Sequence, residues 1–344
     1  MIRMNNDYSC AAHPQVLAAI QASAGESFGG YGEDRFCREA AGLIRELCEA
    51  PEADVHFFPG ATQANFVVCG AALRSVESVI CADTGHINCH EAASVEHIGH
   101  KLQALPSKEA KITAQQIADC ARTYYEAGEP EYLTEPKLVY LSFPTELGTL
   151  YTLQELEDIR RVCDQYHMYL FIDGARMAYG LGAQGNDVTL PDLARLTDVF
   201  YLGGTKCGAL FGEAVVITSD PLKRRFKTFM KQNGAVLAKG WLLGLQFLAL
   251  LRDGLYFELG RKADRQAMEL REAFKKAGIP LSVDSTTNQQ FVVLTTEQAE
   301  RLKQDFLFEH QGETEDGREI VRFCTSWATT DKQLEELTAA IQRL

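Results

Sequence analysis

A lysine that follows an apolar stretch inside a glycine-rich turn is the residue of this chain best suited to covalent chemistry. Lys206 comes directly after Gly203, Gly204 and Thr205, and the apolar residues 199–202 before them are typical of a buried strand. A lysine in a partly desolvated pocket loses its proton more easily and becomes a nucleophile that can form a Schiff base with an aldehyde. The Thr205 hydroxyl beside it could contact a phosphate. Taken alone, the pattern also fits a surface lysine in an ordinary turn, so the interpretation depends on the rest of the chain.

A second candidate, Asp173, closes the apolar stretch 168–172 and precedes Gly174 and Arg176. This pattern predicts a buried parallel strand with a functional residue at its carboxyl end. A helix cap or a metal ligand is the alternative for an isolated acid in this position. Together with Lys206, a carboxylate that keeps a pyridine nitrogen protonated would make the ring an electron sink, as in a pyridoxal phosphate site.

A third candidate site is a helix start early in the chain. Residues 57–59 end a short apolar strand, and Gly60, Ala61 and Thr62 lead into the helical apolar spacing of residues 64–73. Unpaired backbone amides at such a helix start bind a phosphate, and small residues let it approach closely. An ordinary helix start with a threonine near its cap is the alternative.

The fourth candidate is a histidine at a strand end. His86 follows the strand-like stretch 78–82 and lies five residues before the acid Glu91. Its imidazole could stack on a cofactor ring and move protons. A single histidine is more often a surface residue or a structural one, but the preceding strand and the nearby Glu91 favour a functional role here.

Seven stretches, in order over nearly the whole chain, carry a resemblance to a known family: residues 31–34, 60–65, 86–91, 144–151, 173–176, 203–206 and 321–327. Most of them are weak signals individually, but the ordered set is specific. Together they resemble the pyridoxal phosphate enzymes of the aspartate aminotransferase fold, fold type I. Within that group they resemble the L-threonine aldolases of the β-eliminating lyase family.

The resemblance implies a role for each candidate residue. Lys206 would form the Schiff base with the cofactor, Asp173 would pair with its pyridinium, and His86 would stack on its ring, and these three would be the catalytic residues. The remaining cofactor contacts would come from Gly60, Ala61, Thr62, Arg176 and Thr205. Substrate binding would involve Asn6, Tyr31, Arg176 and Arg322. No metal site is implied.

Some of the substrate-binding roles have alternatives. Arg322, like Arg176, suits a bidentate hold on an amino acid carboxylate, but it could also be an exposed residue beside an edge strand. Tyr31 would lie near the site, often across a subunit boundary, or would simply pack. Asn6 stands where the family usually has a serine. It can still donate a hydrogen bond, but with different geometry, which predicts altered substrate affinity or preference.

The resemblance predicts retro-aldol cleavage of L-threonine or L-allo-threonine to glycine and acetaldehyde with pyridoxal phosphate as cofactor. His86, directly or through a water molecule, is the first choice of base. Another β-eliminating lyase or an aminotransferase acting on a small amino acid is the alternative, because fold and lysine do not fix the reaction. A regulatory or structural protein without turnover is disfavoured by the complete set of Lys206, Asp173, His86 and Arg322. A homo-oligomer, dimer or tetramer, with sites near the subunit interface is also implied, in which Lys231 would approach a neighbouring phosphate or lie on a solvated helix face.

Composition agrees with a large enzyme, since 344 residues with 46% hydrophobic content can bury a substantial core. The formal net charge of −13 argues against a nucleic-acid partner, whose phosphates need a basic surface. Ten cysteines are scattered without paired spacing, so reduced thiols and no zinc site are expected. The first residues lack the apolar core of a signal peptide, and the apolar stretch 241–251 is shorter than the ~20 residues of a membrane span. These features predict a cytoplasmic protein without a membrane partner.

Apolar stretches alternate with helical patterns along most of the chain, as at residues 138–141, 169–172 and 199–202. This alternation predicts a mainly parallel sheet with helices on both faces. With the resemblance, the predicted fold class is α/β: a transferase-like fold type I large domain with a seven-stranded type of sheet, plus a smaller α+β C-terminal domain.

The predicted division of the chain has three parts. Residues 1–24 would pack on the small domain or a partner subunit, residues 25–253 would form the large cofactor-binding domain, and residues 254–344 the small C-terminal domain. Residues 221–253 are predicted to be a long helical stretch that leaves the large domain. Strands in the small domain are predicted near residues 281–283, 291–294 and 320–323, and helices at 297–306 and 331–343.

Overall fold

The computed structural model describes all residues, 1–344. Its strands are β1 (Ile2–Arg3), β2 (Asp54–Phe58), β3 (Glu77–Ala82), β4 (Lys101–Leu105), β5 (Glu135–Ser142), β6 (Tyr169–Asp173), β7 (Val199–Gly203), β8 (Glu213–Ile217), β9 (Gln289–Leu294), β10 (Phe306–Leu307), β11 (Glu309–Glu313) and β12 (Glu319–Cys324). Its α-helices are α1 (Pro14–Ala22), α2 (Arg35–Leu47), α3 (Ala61–Ala72), α4 (His86–Cys89), α5 (Ser94–His97), α6 (Ala114–Tyr125), α7 (Leu153–Gln165), α8 (Met177–Gly182), α9 (Leu190–Leu196), α10 (Asp220–Lys223), α11 (Phe226–Gln232), α12 (Trp241–Leu251), α13 (Leu255–Lys276), α14 (Thr296–Lys303) and α15 (Asp331–Ile341). A short 3₁₀-helix spans Pro130–Tyr132.

Seven strands form the central sheet in the spatial order β2-β8-β7-β6-β5-β3-β4. β8 runs antiparallel to both of its neighbours, and the other neighbouring strands pair in parallel. Because β6 and β7 are parallel neighbours, their carboxyl ends lie side by side, with Asp173 at the end of β6 and Lys206 just beyond β7. The predicted α/β fold with a mainly parallel seven-stranded sheet is confirmed.

Two apolar cores, one on each face of this sheet, hold the central strands in place. Successive side chains of a strand point to opposite faces. Thus Ile172 and Phe200 belong to the core shared with α7 and α12, whereas Phe171 and Tyr201 belong to the core shared with α3 and α11. All four are fully buried. Burial of each such side chain contributes about 1.5–3 kcal/mol, so the strand ends that carry the site are firmly held.

The C-terminal part has its own antiparallel sheet, in the order β11-β12-β9, and its own apolar core. Phe274 of α13 packs on Phe323 of β12 with ring centroids 5.1 Å apart. The N-terminal segment joins this part, because β1 pairs in parallel with β10 and Met4 is buried in the same core. The small antiparallel sheet agrees with the predicted fold class, while the division at residues 24 and 253 stays a prediction.

Two of the predicted elements are wrong. The helical stretch predicted for residues 221–253 is three helices, α10, α11 and α12, because Arg225 (φ +64°) and Gly234 (φ +74°) adopt left-handed conformations that end a right-handed helix. The strand predicted near residues 281–283 is reduced to a single bridge between Leu281 and Val292. Conversely, β11 was not predicted, because its residues are exposed and mostly polar and show no apolar alternation.

All ten cysteines are free thiols, and seven of them are buried. None of the helices has both the length and the apolar character that a membrane crossing requires.

Candidate active site

A cavity of about 380 Å³ opens at the carboxyl ends of β6 and β7. Its lining includes all the residues predicted for catalysis and cofactor binding: Gly60, Ala61, Thr62, His86, Asp173, Arg176, Thr205 and Lys206. The other residues predicted to bind substrate, Asn6, Tyr31 and Arg322, do not line it. The parallel strand order therefore brings together residues that lie far apart in the sequence.

Lys206 lies in a tight turn between β7 and β8. The backbone N–H of Gly204 donates to Gly212 O at 2.9 Å, and a Cβ at position 204 would meet that oxygen at 2.8 Å, so glycine is required there. The Tyr179 hydroxyl donates to the carbonyl oxygen of Lys206. Burial, and then the positive charge of Arg176, lower the pKa of Lys206, although nearby carboxylates oppose the shift. A lower pKa leaves more of the amine uncharged and able to attack an aldehyde.

Asp173 lies at the floor of the cavity and is buried. Its Oδ1 accepts the N–H of Ala175 at 2.9 Å, and its Oδ2 accepts Nδ2 of Asn65 at 3.0 Å and the Tyr140 hydroxyl. Burial alone would raise the pKa of Asp173, but the charge of His86 and these hydrogen bonds hold it below its usual value. The carboxylate therefore stays charged and can pair with a protonated ring nitrogen.

His86 is oriented by a buried carboxylate. Its Nδ1 lies 2.7 Å from Oε1 of Glu91, whose side chain is fully buried. Glu91 also accepts Nδ2 of Asn65 at 2.7 Å and the Ser94 hydroxyl at 2.8 Å. Burial would lower the pKa of His86, but the hydrogen bond to Glu91 and the charges of Asp173 and Glu91 raise it. The imidazole is thus fixed in orientation, and its pKa is higher than that of a free imidazole.

The start of α3 offers free backbone donors to the cavity. Gly60 precedes the helix without a side-chain cap, and the first backbone N–H that bonds back to it is that of Ala64, at 3.1 Å. The N–H groups of the first helical turn are therefore left for a ligand. No atom lies within 4 Å of the place where a Cβ of Gly60 would stand, so this side is open. Together with the helix dipole, the arrangement suits a phosphate.

Arg176 is bound within the protein by a carboxylate from the N-terminal segment. Its Nε and Nη2 donate to the two carboxylate oxygens of Asp7 at 2.7 Å and 3.0 Å. Asn288 adds a third hydrogen bond to Asp7, at 2.9 Å. Burial would raise the pKa of Asp7, but the charges of Arg176 and Lys206 bring it down to about 2. This ion pair occupies one edge of the guanidinium, and the predicted contacts of Arg176 with cofactor and substrate stay predictions.

Arg322, on β12, has a buried donor atom without a partner. Its Nη1 donates to Oε1 of Gln289 at 3.2 Å and its Nη2 to the carbonyl oxygen of Asn5 at 3.0 Å, while its buried Nε has no partner. After burial and the charge of His86, the positive charge of Arg322 contributes to lowering the pKa of His90, a residue of the cavity lining. Arg322 is therefore near the cavity without lining it, and its role in substrate binding stays a prediction.

Asn6 and Tyr31 point elsewhere in the single chain. Oδ1 of Asn6 accepts the Ser9 hydroxyl at 2.7 Å and the N–H of Tyr8 at 3.2 Å, which closes a local turn. Tyr31 is 51% exposed, and Nζ of Lys231 lies 4.8 Å from its ring centroid. Tyr31 is thus paired with Lys231, the other residue expected to reach a neighbouring subunit.

Two acids in the lining, Glu146 and Glu213, were not predicted. Glu213 begins β8 and accepts the Thr205 hydroxyl at 2.7 Å and the N–H of Gly204 at 3.1 Å. The Thr205 hydroxyl also accepts the N–H of Gly212 at 2.9 Å, and its contact with a phosphate stays a prediction. Glu146 belongs to the stretch 144–151 of the resemblance, which was the signal available in the sequence. These acids form no group with other His, Cys, Asp or Glu side chains that could hold a metal ion.

Comparison with known proteins gives a family match and similar whole chains. Residues 13–297 match the family model of the beta-eliminating lyases. The low specificity L-threonine aldolase of Pseudomonas aeruginosa is 28% identical over 336 residues, which cover 96% of this chain and 94% of that protein. The structure of the threonine aldolase of Leishmania major is 43% identical, with a TM-score of 0.97 and coverage of 100% of this chain and 99% of that one. The aspartate aminotransferase of Thermus thermophilus, at 15% identity, a TM-score of 0.73 and coverage of 100% and 91%, shares the fold alone.

The fold and the site together define an aminotransferase-like enzyme of fold type I. Within this class the chain belongs to the beta-eliminating lyase family. The predictions of this family and of a lyase are therefore confirmed.

Proposed function

We propose that this protein is a pyridoxal phosphate-dependent lyase that cleaves L-threonine or L-allo-threonine to glycine and acetaldehyde. The observation that carries the proposal is the placement of Lys206, Asp173, His86 and the open start of α3 around one cavity. The family match and the 43% identity to a threonine aldolase over the whole chain support it.

The residues of the cavity fit pyridoxal phosphate. The free N–H groups at the start of α3 would hold the phosphate, Lys206 would bind the aldehyde carbon, and Asp173 would pair with the ring nitrogen. When bound, the cofactor would accept the electron pair left on Cα as the bond between Cα and Cβ of the substrate breaks.

The protein's own groups prepare the substrate for this cleavage. The lowered pKa of Lys206 favours its uncharged amine, and the lowered pKa of Asp173 favours its carboxylate. His86 is held by Glu91 in one orientation, so that its ring can form one wall of the cavity. Arg322 would bind the substrate carboxylate, because its buried Nε lacks a partner and a carboxylate would satisfy it.

We further propose a homo-oligomer, dimer or tetramer, and a cytoplasmic location. Tyr31 and Lys231 lie together on the exposed surface, where a second subunit could use them to complete its site. The ten free thiols suit a reducing compartment.

The direct test loads the protein with pyridoxal phosphate and incubates it separately with L-threonine and L-allo-threonine. An alcohol dehydrogenase converts any acetaldehyde to ethanol, and the loss of NADH gives the rate, while glycine is quantified in parallel. Equal amounts of acetaldehyde and glycine are expected, and the two rates rank the diastereomers. A loaded enzyme that produces no acetaldehyde from either substrate would overturn the proposal, and pyruvate with ammonia would indicate elimination instead.

A further inference from the structure

One carboxyl oxygen in the cavity lining is free, and it belongs to Glu146. Three acids line the cavity: Glu146, Asp173 and Glu213. Both oxygens of Asp173 accept hydrogen bonds, and so do both oxygens of Glu213. Glu146 instead accepts two hydrogen bonds on Oε1 alone, from the N–H of His86 at 2.8 Å and from the Ser142 hydroxyl at 2.6 Å. Its Oε2 accepts no hydrogen bond from another residue and is not sealed from the cavity.

The position of this carboxyl is fixed by the turn that carries it. The N–H of Thr145 donates to Thr149 O at 3.0 Å, and Nε2 of Gln289 donates to the carbonyl oxygen of Glu146 at 3.4 Å. These bonds fix the backbone of the turn, and the two hydrogen bonds to Oε1 fix the carboxyl group of Glu146. A group held in this way can serve a substrate without reorganising.

His86, the first choice of base from the sequence, has one ring nitrogen already engaged. Its Nδ1 bonds to Glu91, and Glu91 and Asp173 raise its pKa against the effect of burial. Glu146 instead has one carboxyl oxygen that no other residue contacts by a hydrogen bond. Burial raises its pKa above that of an ordinary carboxyl, which brings its basicity closer to neutral pH.

We propose that Glu146 is the catalytic residue that removes the proton from the β-hydroxyl of the substrate, a role that rests on the threonine cleavage proposed above. Oε2 takes the proton, and the electron pair of the O–H bond becomes the C=O bond of acetaldehyde. The bond between Cα and Cβ breaks, its electron pair stays on Cα, and a proton from water added to Cα completes glycine, while Oε2 releases its proton to water. No oxidant or reductant is required.

The charge state of Glu146 also depends on the titratable groups that face it. Burial and, less strongly, Asp173 raise its pKa, whereas hydrogen bonds from the Ser142 hydroxyl, its own backbone N–H and the N–H of His86 lower it. The other titratable side chains that sense its charge are Cys81, Tyr140 and Tyr151. We therefore expect the rate of threonine cleavage to rise with pH through the raised pKa of Glu146.

The decisive variant is Glu146→Gln, because the amide oxygen can still accept both hydrogen bonds while the base is lost. Threonine cleavage is expected to slow by about 10²–10⁴-fold, and its rise with pH to disappear. Exchange of the α-hydrogen of glycine in D₂O, followed by NMR, involves no β-hydroxyl and is expected to continue at the wild-type rate. Glu77→Gln, at a buried acid outside the cavity, is the matched control and should leave both reactions unchanged.

A second readout needs neither cofactor nor turnover. Infrared titration of the cofactor-free protein should show protonated carboxyls above the ordinary carboxyl pKa of 4.5, to which Glu213 and Asp264 also contribute, and the amplitude of this signal should be smaller in Glu146→Gln. An equal amplitude in the variant would show that Glu146 has no raised pKa and would overturn the proposal. If Glu146→Gln does not fold, Glu146→Asp replaces it: slower cleavage with normal glycine exchange supports the role, and an unchanged cleavage rate contradicts it.

The outcomes separate this role from the proposed function. Wild-type protein without acetaldehyde production would overturn both. Wild-type protein that cleaves threonine, with Glu146→Gln equally fast, would overturn only the role of Glu146. Loss of glycine exchange together with cleavage in a folded variant would also contradict it, because a base for the β-hydroxyl acts in cleavage alone.

Discussion

Arg322 and Glu146 are joined through one side chain, that of Gln289. Oε1 of Gln289 accepts Nη1 of Arg322 at 3.2 Å, and its Nε2 donates to the carbonyl oxygen of Glu146 at 3.4 Å. Gln289 is fully buried at the start of β9. Gln289, a residue of the C-terminal sheet, therefore fixes the position of Arg322 relative to Glu146. These are the groups proposed to bind the substrate carboxylate and its β-hydroxyl, so their spacing is set by one side chain.

Arg322→Lys tests the hold on the substrate carboxylate. A lysine keeps the charge but not the planar fork, so we expect KM for L-threonine to rise by about 10–100-fold, the equivalent of about 1.5–3 kcal/mol for a lost charged hydrogen bond. The lysine-bound cofactor band should be unaffected. Steady-state kinetics of the variant beside Arg318→Lys, at a partly exposed arginine, measure the effect, and an unchanged KM would remove Arg322 from substrate binding.

Lys206→Ala removes the only cavity lysine. Without its amine, the visible absorbance band of lysine-bound pyridoxal phosphate should vanish and cleavage should stop. Absorbance spectroscopy and the acetaldehyde assay are compared with those of Lys275→Ala, a partly exposed lysine of α13 that should behave as wild type. A Lys206→Ala protein that retains both the band and the turnover would show that another residue binds the cofactor.

Asp173→Asn keeps the size of the side chain at the floor of the cavity but removes its charge. The ring nitrogen would lose the partner that keeps it protonated, so cleavage should slow by ~10²-fold or more while some cofactor remains bound. Cofactor content by absorbance and kcat by the coupled assay separate these effects. Near-normal turnover at full loading would contradict the role given to Asp173.

The sequence predicted residues whose place follows from strand order. Lys206 and Asp173 come after apolar stretches, and parallel neighbouring strands necessarily present their carboxyl ends together. Glu213 gave no such signal, because it stands at the start of a strand. It reaches the site only because β8 runs antiparallel to β7, which puts Glu213 opposite Gly203. No local pattern indicates that pairing.

The pairing of Arg176 with Asp7 shows the same limit at longer range. The two residues lie 169 positions apart, and their contact depends on how the N-terminal segment crosses to the cavity. The long helical stretch predicted for residues 221–253 is interrupted for a local reason: Arg225 and Gly234 adopt a left-handed backbone, which the helical pattern of the surrounding residues does not indicate.

Glu213 provides a test of the electrostatics that requires no substrate. Burial, opposed by the Thr205 hydrogen bond and the charge of Lys206, raises its pKa from 4.5 to about 8, with Asp173 adding to the rise. The folded protein thus binds a proton that the unfolded chain releases at lower pH. The stability from this proton is complete below pH 4.5 and is lost as the pH rises through about 8, at no more than ~1.4 kcal/mol per pH unit.

Glu213→Gln should remove this part of the pH dependence, because the amide can accept the hydrogen bonds of Thr205 and Gly204 but has no proton to lose. Urea unfolding of the cofactor-free protein between about pH 5 and about pH 8 measures it: the wild type should lose stability more steeply than the variant across that range. Tyr201 and Tyr256 also sense the charge of Glu213, but they are protonated throughout because burial raises the pKa of each well above 10. Parallel stability curves for the two proteins would mean that Glu213 titrates as an ordinary carboxyl, and that Lys206 faces a permanent negative charge at neutral pH.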